Sequence, residues 1–157
     1  MAPKGFGAFG GDLIAPDELS GKIYAIGPDG AVRVVALSGL PAGPDTGVES
    51  LGFVPRGFTR HGEAYYSDRA TPGNPHPGTD SLLRLPASAL FAAGVRDGDL
   101  LAATEGGATM IAVRCRATCH VLTVVGTPST SHGEGHIEFT TRKLLWRDLD
   151  LLRDRAD

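Results

Sequence analysis

Short apolar runs alternate with turn signals along almost the whole chain, and this alternation restricts the fold more than any other feature. Each run is four to seven residues long and rich in Val, Ile, Leu and Tyr, and Gly, Pro or Asp residues separate it from the next. A regular series of such runs indicates an all-β sandwich, barrel or propeller. The predicted strands cover residues 12–15, 22–26, 31–37, 51–54, 64–67, 81–85, 100–103, 110–113 and 121–125.

An internal repeat favours the propeller. The segment D-L-I-A-P-D-E-L-S-G-K-I-Y-A-I, which begins at Asp12, aligns without a gap with D-L-L-A-A-T-E-G-G-A-T-M-I-A-V, which begins at Asp99. A looser third copy begins at Glu63 with E-A-Y-Y-S-D-R and resumes after a long loop with D-S-L-L-R-L. The copies begin roughly 36 to 51 residues apart, a period typical of stacked units such as propeller blades. We therefore predict that residues 1–140 form a partial β-propeller of about three blades of antiparallel strands.

Two short motifs in these copies resemble motifs of the six-bladed propellers of the SMP-30, gluconolactonase and strictosidine-synthase-like group. In that group a P-E-G-type motif opens the innermost strand of a blade, and an L-Y-V-(A/S)-D motif ends the next strand. Glu49 in V-E-S-L and Glu134 in G-E-G-H match the acidic residue of the first motif. Asp68 in Y-Y-S-D matches the second motif, with Glu18 and Glu105 as variants. The resemblance covers roughly residues 3–140.

The resemblance implies a functional site at the mouth of a central channel lined by the innermost strands. Glu49 and Glu134 would hold Ca²⁺ or another divalent metal there, and Asp68 and Glu105 would be the catalytic carboxylates of a lactonase-like hydrolase. The expected function is therefore small-molecule binding, with metal-dependent hydrolysis as its narrower form. The alternative is a non-catalytic interaction module that binds another protein through its loops and its C-terminal segment.

The segment S-H-G-E-G-H-I-E-F, residues 131–139, offers further metal ligands. If it is extended, His132, Glu134, His136 and Glu138 project from one face, because a strand places every second residue on the same side. Imidazole is a common ligand of zinc, iron and copper. His132 and His136 therefore join Glu49 and Glu134 as candidate metal ligands. The alternative is that the two histidines are surface or loop residues flanked by glycine turns.

The predicted number of blades and the net charge limit the partners. Natural propellers have about four to eight blades, so three cannot close a ring. We therefore predict a homodimer or a higher oligomer, and a fragment of a longer propeller is the alternative. The net charge of −3 and the pI of about 5.9 give no basic footprint for nucleic acid. Since no run reaches the roughly 18 apolar residues of a membrane helix, the expected location is cytoplasmic, or secreted if a leader has been removed.

The only two cysteines, Cys115 and Cys119, are separated by three residues. This spacing suits a tight hairpin, which a disulfide would fasten in an oxidising compartment. A pair of free, partly buried thiols is an equally good interpretation of the sequence.

The C-terminal segment differs in composition from the rest of the chain. From residue 142 onward it contains neither Gly nor Pro, and Leu145, Leu149 and Leu152 recur at helical spacing. We predict a short amphipathic helix over residues 141–157, which covers the sheet or an exposed edge, or which binds a partner.

Overall fold

The computed structural model describes residues 1–44, 46–68, 81–105, 110–124 and 133–141, and most of them lie in antiparallel strands. A 3-10 turn at Gly7–Phe9 and two short helices, α1 (Phe58–His61) and α2 (Ala87–Ala92), accompany the strands. The predicted all-β class is therefore confirmed. The strands are β1 (Leu13–Asp17), β2 (Lys22–Ile26), β3 (Val32–Leu37), β4 (Val48–Phe53), β5 (Glu63–Asp68), β6 (Ser81–Pro86), β7 (Leu100–Thr104), β8 (Met110–Cys115), β9 (Cys119–Val124) and β10 (Gly133–Thr140).

The strands form three antiparallel sheets. The first sheet has the order β1-β2-β3, the central sheet β4-β7-β8-β9 and the third sheet β10-β5-β6. Two of the connections in the first sheet are tight turns, in which Asp17 and Asp29 accept backbone hydrogen bonds from Leu19 and Ala31. Such side-chain bonds replace part of the backbone pairing and favour a turn at these positions.

The internal repeat corresponds to a repeated three-stranded unit. The alignment that places Asp12 on Asp99 also places β1 on β7 and β3 on β9, with both ends of each strand in register. β2 and β8 overlap under the same alignment, and both units are antiparallel meanders. The sequence comparison therefore found a real structural repeat, which continues beyond the residues that it aligned.

Strands β4 and β10 pair with other strands than a propeller blade would require. A blade that opens with β4 would pair it with β5, which follows it in the chain, whereas β4 pairs with β7 and β10 pairs with β5. Backbone hydrogen bonds explain the pairing of β4 with β7, because the Val54 N–H donates to Asp99 O and Val54 O accepts from Gly98 N, both at 2.8 Å. Gly57 N also donates to Asp97 Oδ2 at 2.6 Å. These bonds attach the chain that leaves β4 to the segment that enters β7. The arrangement of the three sheets as propeller blades stays a prediction.

Strands β7 and β8 of the central sheet are buried on both faces, whereas β9 at its edge is largely exposed. Leu101, Ala103, Met110 and Ala112 belong to one apolar cluster together with β5, β6, β10 and α2. Leu100, Ala102, Ile111 and Val113 belong to a second cluster together with β2, β3 and the N-terminal segment. Alternating residues of β7 and β8 therefore enter opposite clusters. This explains why both strands are continuous apolar runs, since a strand covered on both faces needs apolar residues at every position.

A buried acidic residue at or just before the first strand of each unit binds an arginine on another strand of the same sheet. Asp99 is 1% exposed and accepts two hydrogen bonds from Arg114, at 2.8 and 2.7 Å. Asp12 accepts a single hydrogen bond from Arg33, which lies on β3 and is not the repeat equivalent of Arg114, and Glu63 pairs with Arg84 at 3.4 Å. Hydrogen bonding to Asp99 raises the pKa of Arg114. The alignment had detected the identity of Asp12 and Asp99, and the structure explains it as two ion pairs that fix the start of each meander.

Strand β10 crosses close to β4, and a glycine makes this approach possible. A Cβ at Gly52 would clash with the carbonyl oxygen of Ile137 and would lie 2.7 Å from Cε2 of Phe139. Gly52 has no side chain that would hold the two strands apart, so the third sheet can pack against the edge of the central sheet. Phe139 in turn contacts Phe58 edge to face, with ring centroids 5.1 Å apart.

Cys115 and Cys119 form a disulfide that closes the β8–β9 hairpin. The two residues are register partners at the turn end of these strands. Of the two interpretations of the sequence, the structure therefore has the bridged hairpin. Arg116 in this turn donates to Gly5 O at 3.3 Å, which links the hairpin to the N-terminal segment.

The predicted C-terminal helix begins at residue 141 and otherwise lies outside the described residues. Within the described part of the chain, no helix is both long enough and apolar enough to cross a membrane.

Candidate functional site

One edge strand from each of the three sheets contributes to a single cleft, here called the edge-strand cleft. β1, β4 and β10 each lie at one edge of their sheet, and all three supply residues to the cleft wall. The cleft volume is about 420 Å³, within the roughly 300–1,000 Å³ of small-molecule sites. Most of the wall is apolar, and includes Leu13, Leu51, Phe53, Leu100 and Ile137.

Three ionisable side chains line this apolar cleft. Glu49 lies on β4 and is half-buried, whereas His136 and Glu138 lie on β10 and are exposed. Two carboxylates beside an imidazole produce a negative potential, which favours a ligand with a cationic or hydrogen-bond-donating group. The arrangement therefore suits a ligand with an apolar body and a positively charged or strongly donating end.

Strand irregularities place two of these side chains at the cleft. In β4 the pairing register shifts between Val48 and Ser50, so that Glu49 is the extra residue of a bulge. In β10 the register shifts between Glu134 and Glu138, and His136 lies within the shifted segment. Bulges redirect side chains and are common beside functional sites.

The repeat register relates Glu49 to a different residue from the one expected. The alignment of Asp12 with Asp99, continued along the chain, places Glu49 on His136 and β4 within β10. The sequence motif had matched Glu49 with Glu134, two residues earlier. Glu49 and His136 line the same cleft, and each lies at a register shift of its own strand. The motif match of Glu49 with Glu134 stays a prediction.

Of the other predicted site residues, Glu105 does not line the cleft, and Asp68 and Glu134 lie in the third sheet. The structure describes Asp68 and Glu134 by their backbone, and they lie side by side in the third sheet, where Asp68 pairs with Gly133 and Glu134 with Ser67. Glu105 follows β7, is 5% exposed, and donates from its backbone N to Gly47 O at 2.8 Å. The predicted ligand His132 lies outside the described residues.

Metal binding stays a prediction. No set of three His, Cys, Asp or Glu side chains is arranged to hold a metal ion in the part of the chain that the structure describes. Glu49, His136 and Glu138 share a cleft without forming such a set. The predicted Ca²⁺ site also included Glu134, of which the structure describes only the backbone.

A second cleft of about 750 Å³ adjoins the first, with Met1 and Phe53 in the walls of both. Arg56 and Arg116 line this second cleft, and both are exposed. These arginines were not predicted from the sequence, because they are far apart in the chain and belong to no motif. Glu138 lies on the same strand face as His136 and was not among the predicted site residues, although the alternation of residues 131–139 was a sufficient signal.

A polar cluster on the outer face of the third sheet is unsuited to acid–base chemistry at neutral pH. Burial, the hydrogen bond to Glu63 and the charge of that carboxylate raise the pKa of Tyr65 to about 12. The Tyr65 hydroxyl donates to Glu63 Oε2 at 2.6 Å, and Arg84 is the register partner of Tyr65. Tyr65 therefore stays protonated and stabilises the sheet as a hydrogen-bond donor.

Comparisons with known proteins add no information on this site. No family model matches the chain, no curated protein matches it, and no solved structure matches it.

Proposed function

We propose that this protein binds a small organic molecule in the edge-strand cleft. The observation that carries the proposal is the convergence of β1, β4 and β10 on one apolar cleft that also contains Glu49, His136 and Glu138. Small-molecule sites combine an apolar lining with a few polar groups that orient the ligand. The edge-strand cleft has this composition, and its residues come from three separate sheets.

The charges of the cleft define the class of ligand. An amine would be attracted to the carboxylates of Glu49 and Glu138, whereas a carboxylate would be repelled. The apolar part of the ligand would lie against Leu51, Phe53 and Ile137. We therefore propose a ligand with an aliphatic or aromatic body and a cationic group.

The lactonase-like hydrolase is a narrower form of the same proposal. It requires a divalent metal near Glu49 and a carboxylate that activates water, as the resemblance to the SMP-30 group implies. Glu49 is the one described residue that this resemblance and the cleft have in common. The propeller architecture belongs to this narrower form, since three stacked sheets would be half of a six-bladed ring.

The test is a fragment-binding experiment by ligand-observed NMR with matched amine, neutral and carboxylate fragments. Amines should bind the wild-type protein best, and Glu49→Gln should weaken them about tenfold, a loss of about 1.4 kcal/mol. The control Asp29→Asn removes a charge in the β2–β3 turn, and it should leave binding unchanged. A preference for carboxylates, or equal amine binding by Glu49→Gln, would contradict the proposal.

A parallel thermal-shift series tests the metal. A rise in Tm with Ca²⁺ that is lost in Glu49→Gln and retained in Asp29→Asn would support the metal-dependent form. The absence of any shift with divalent cations, together with intact amine binding, would exclude that form and leave the binding function in place.

A further inference from the structure

The outer face of the first sheet is apolar. Residues that pair directly across the strands share a face, and two rows on this face consist of Leu13, Ile26 and Val32 and of Ala15, Tyr24 and Val34. Leu13, Val32 and Val34 are 49%, 62% and 49% exposed. The third row contains Asp17, Lys22 and Leu37, so that the apolar rows end at a pair of opposite charges.

The repeat shows what kind of surface this face is. Leu13 and Ile26 correspond to Leu100 and Val113 of the central sheet, and Tyr24 corresponds to Ile111. These three counterparts are at most 1% exposed, because the first sheet covers them. The β1 and β2 part of this outer face is therefore the counterpart of a surface that another antiparallel sheet covers within the same chain, whereas Val121, the counterpart of Val34 on β9, is 43% exposed.

The third sheet does not offer a complementary outer face. The residues on that side include Glu63, Tyr65 and Arg84, which form a hydrogen-bonded polar cluster. A head-to-tail assembly would press this cluster against the apolar rows and desolvate its charges, which is unfavourable. A two-fold arrangement instead places the apolar rows of one copy on those of the other. It also allows Lys22 of each copy to approach Asp17 of its partner.

We propose that two copies of this chain associate through the outer faces of their first sheets. The partner is a second copy because the face is apolar at its centre and self-complementary in charge at its end. This contact shares Leu13 with the wall of the edge-strand cleft, and Val32 and Val34, which the test changes, do not line that cleft. It also differs from the predicted closure of a propeller ring, which would join the first sheet of one chain to the third sheet of the other.

The interface is small, which sets the concentrations for the test. Three rows of three residues are fewer than the roughly 20–30 residues per partner of a standard interface. We therefore expect a dissociation constant of about 10–100 μM. Sedimentation equilibrium from about 5 to 500 μM covers this range, and the dimer fraction should rise through it.

The decisive variant is Val34→Glu, which puts a charge at the centre of the face. It should sediment as a monomer at the concentrations at which the wild-type protein is dimeric. The matched control is Leu82→Glu on β6, where Leu82 is 71% exposed on the third sheet, and it should dimerise like the wild-type protein. Circular dichroism confirms that both variants fold, and Val32→Lys serves as a second disruptive variant if Val34→Glu does not.

Two outcomes would overturn the proposal. One is a wild-type protein that stays monomeric at about 500 μM, which would mean that another segment or a different protein covers the face. The other is a dimer that Val34→Glu and Val32→Lys leave intact or that Leu82→Glu abolishes, since the interface would then lie elsewhere.

Discussion

Replacing Gly52 with alanine tests the packing of β10 over β4, on which the edge-strand cleft depends. The φ of Gly52 lies outside the left-handed region, so alanine is compatible with its backbone conformation. The new methyl group would instead clash with the Ile137 carbonyl oxygen and lie 2.9 Å from Ile137 Cβ. Two of the three contacts are with backbone or branched atoms that cannot rotate away, so β10 must move.

The size of the effect follows from two opposing contributions. Alanine at a compatible glycine site stabilises a protein by about 0.4–1 kcal/mol, because it restricts the unfolded chain. Overpacking a tight contact costs about 1–3 kcal/mol. We expect the free energy of unfolding to fall by about 1–2 kcal/mol, which lowers Tm by about 2–4 °C for each kcal/mol in a chain of this length.

The assay is urea unfolding followed by circular dichroism at one fixed protein concentration. Gly5→Ala is the matched control, because no described heavy atom lies within 4 Å of a Cβ built there and the φ of Gly5 also lies outside the left-handed region. Gly5→Ala should be neutral or slightly stabilising. If Gly52→Ala unfolded at the same urea concentration as Gly5→Ala, the close crossing of β10 over β4 would be wrong.

Three further perturbations probe the ion pair, the tyrosine and the disulfide. Asp99→Ala should lower the free energy of unfolding by about 2–4 kcal/mol, somewhat less than the loss of a fully buried pair, because the Arg114 side chain is 36% exposed. In urea unfolding, the double variant Asp99→Ala/Arg114→Met should recover part of this loss. A loss under about 1 kcal/mol in Asp99→Ala would show that the ion pair is unimportant. Tyr65→Phe should remove the tyrosine that ionises near pH 12 from an absorbance titration at 295 nm, and an unchanged titration curve would refute the assignment of that ionisation to Tyr65. Because the pKa of Tyr65 is raised in the folded state, its contribution to stability is complete below about pH 10 and disappears as the pH rises to about 12. Reduction of the Cys115–Cys119 disulfide should lower the free energy of unfolding by about 2 kcal/mol, because the bridge restricts a short loop of the unfolded chain. Urea unfolding with and without dithiothreitol measures this loss. Cys119→Ser should be as stable as the reduced protein and insensitive to the reductant.

The strands and the repeat could be predicted because they depend on local signals. Alternating and continuous apolar runs identified the strands, and the identity of Asp12 and Asp99 identified two equivalent units. The match of Glu49 to Glu134 stays a prediction, because it came from a short motif and a short motif does not reveal a bulge. The bulge in β10 changes which residue reaches the cleft, and only the pairing with β5 makes it visible.

The candidate site was predictable only in part. Glu49 and His136 were named from the sequence, and the structure brings them to one cleft. Arg56 and Arg116 were missed because they meet only after the N-terminal segment has folded against the β8–β9 hairpin. Strand pairing joins residues that are far apart in the chain, and no local pattern records such a contact.

The sequence by itself determined that the chain forms short antiparallel strands, that two of its units are copies, and where its turns lie, because these properties depend on side chains within a few residues of one another. Only the tertiary structure decided that β4 pairs with β7 and β10 with β5, and therefore that three edge strands enclose one cleft. The physical reason is that an edge strand can satisfy its backbone hydrogen bonds on any compatible sheet edge. The choice among those edges is made by packing, here by the absence of a side chain at Gly52 and by the hydrogen bonds that hold Val54 to the segment before β7.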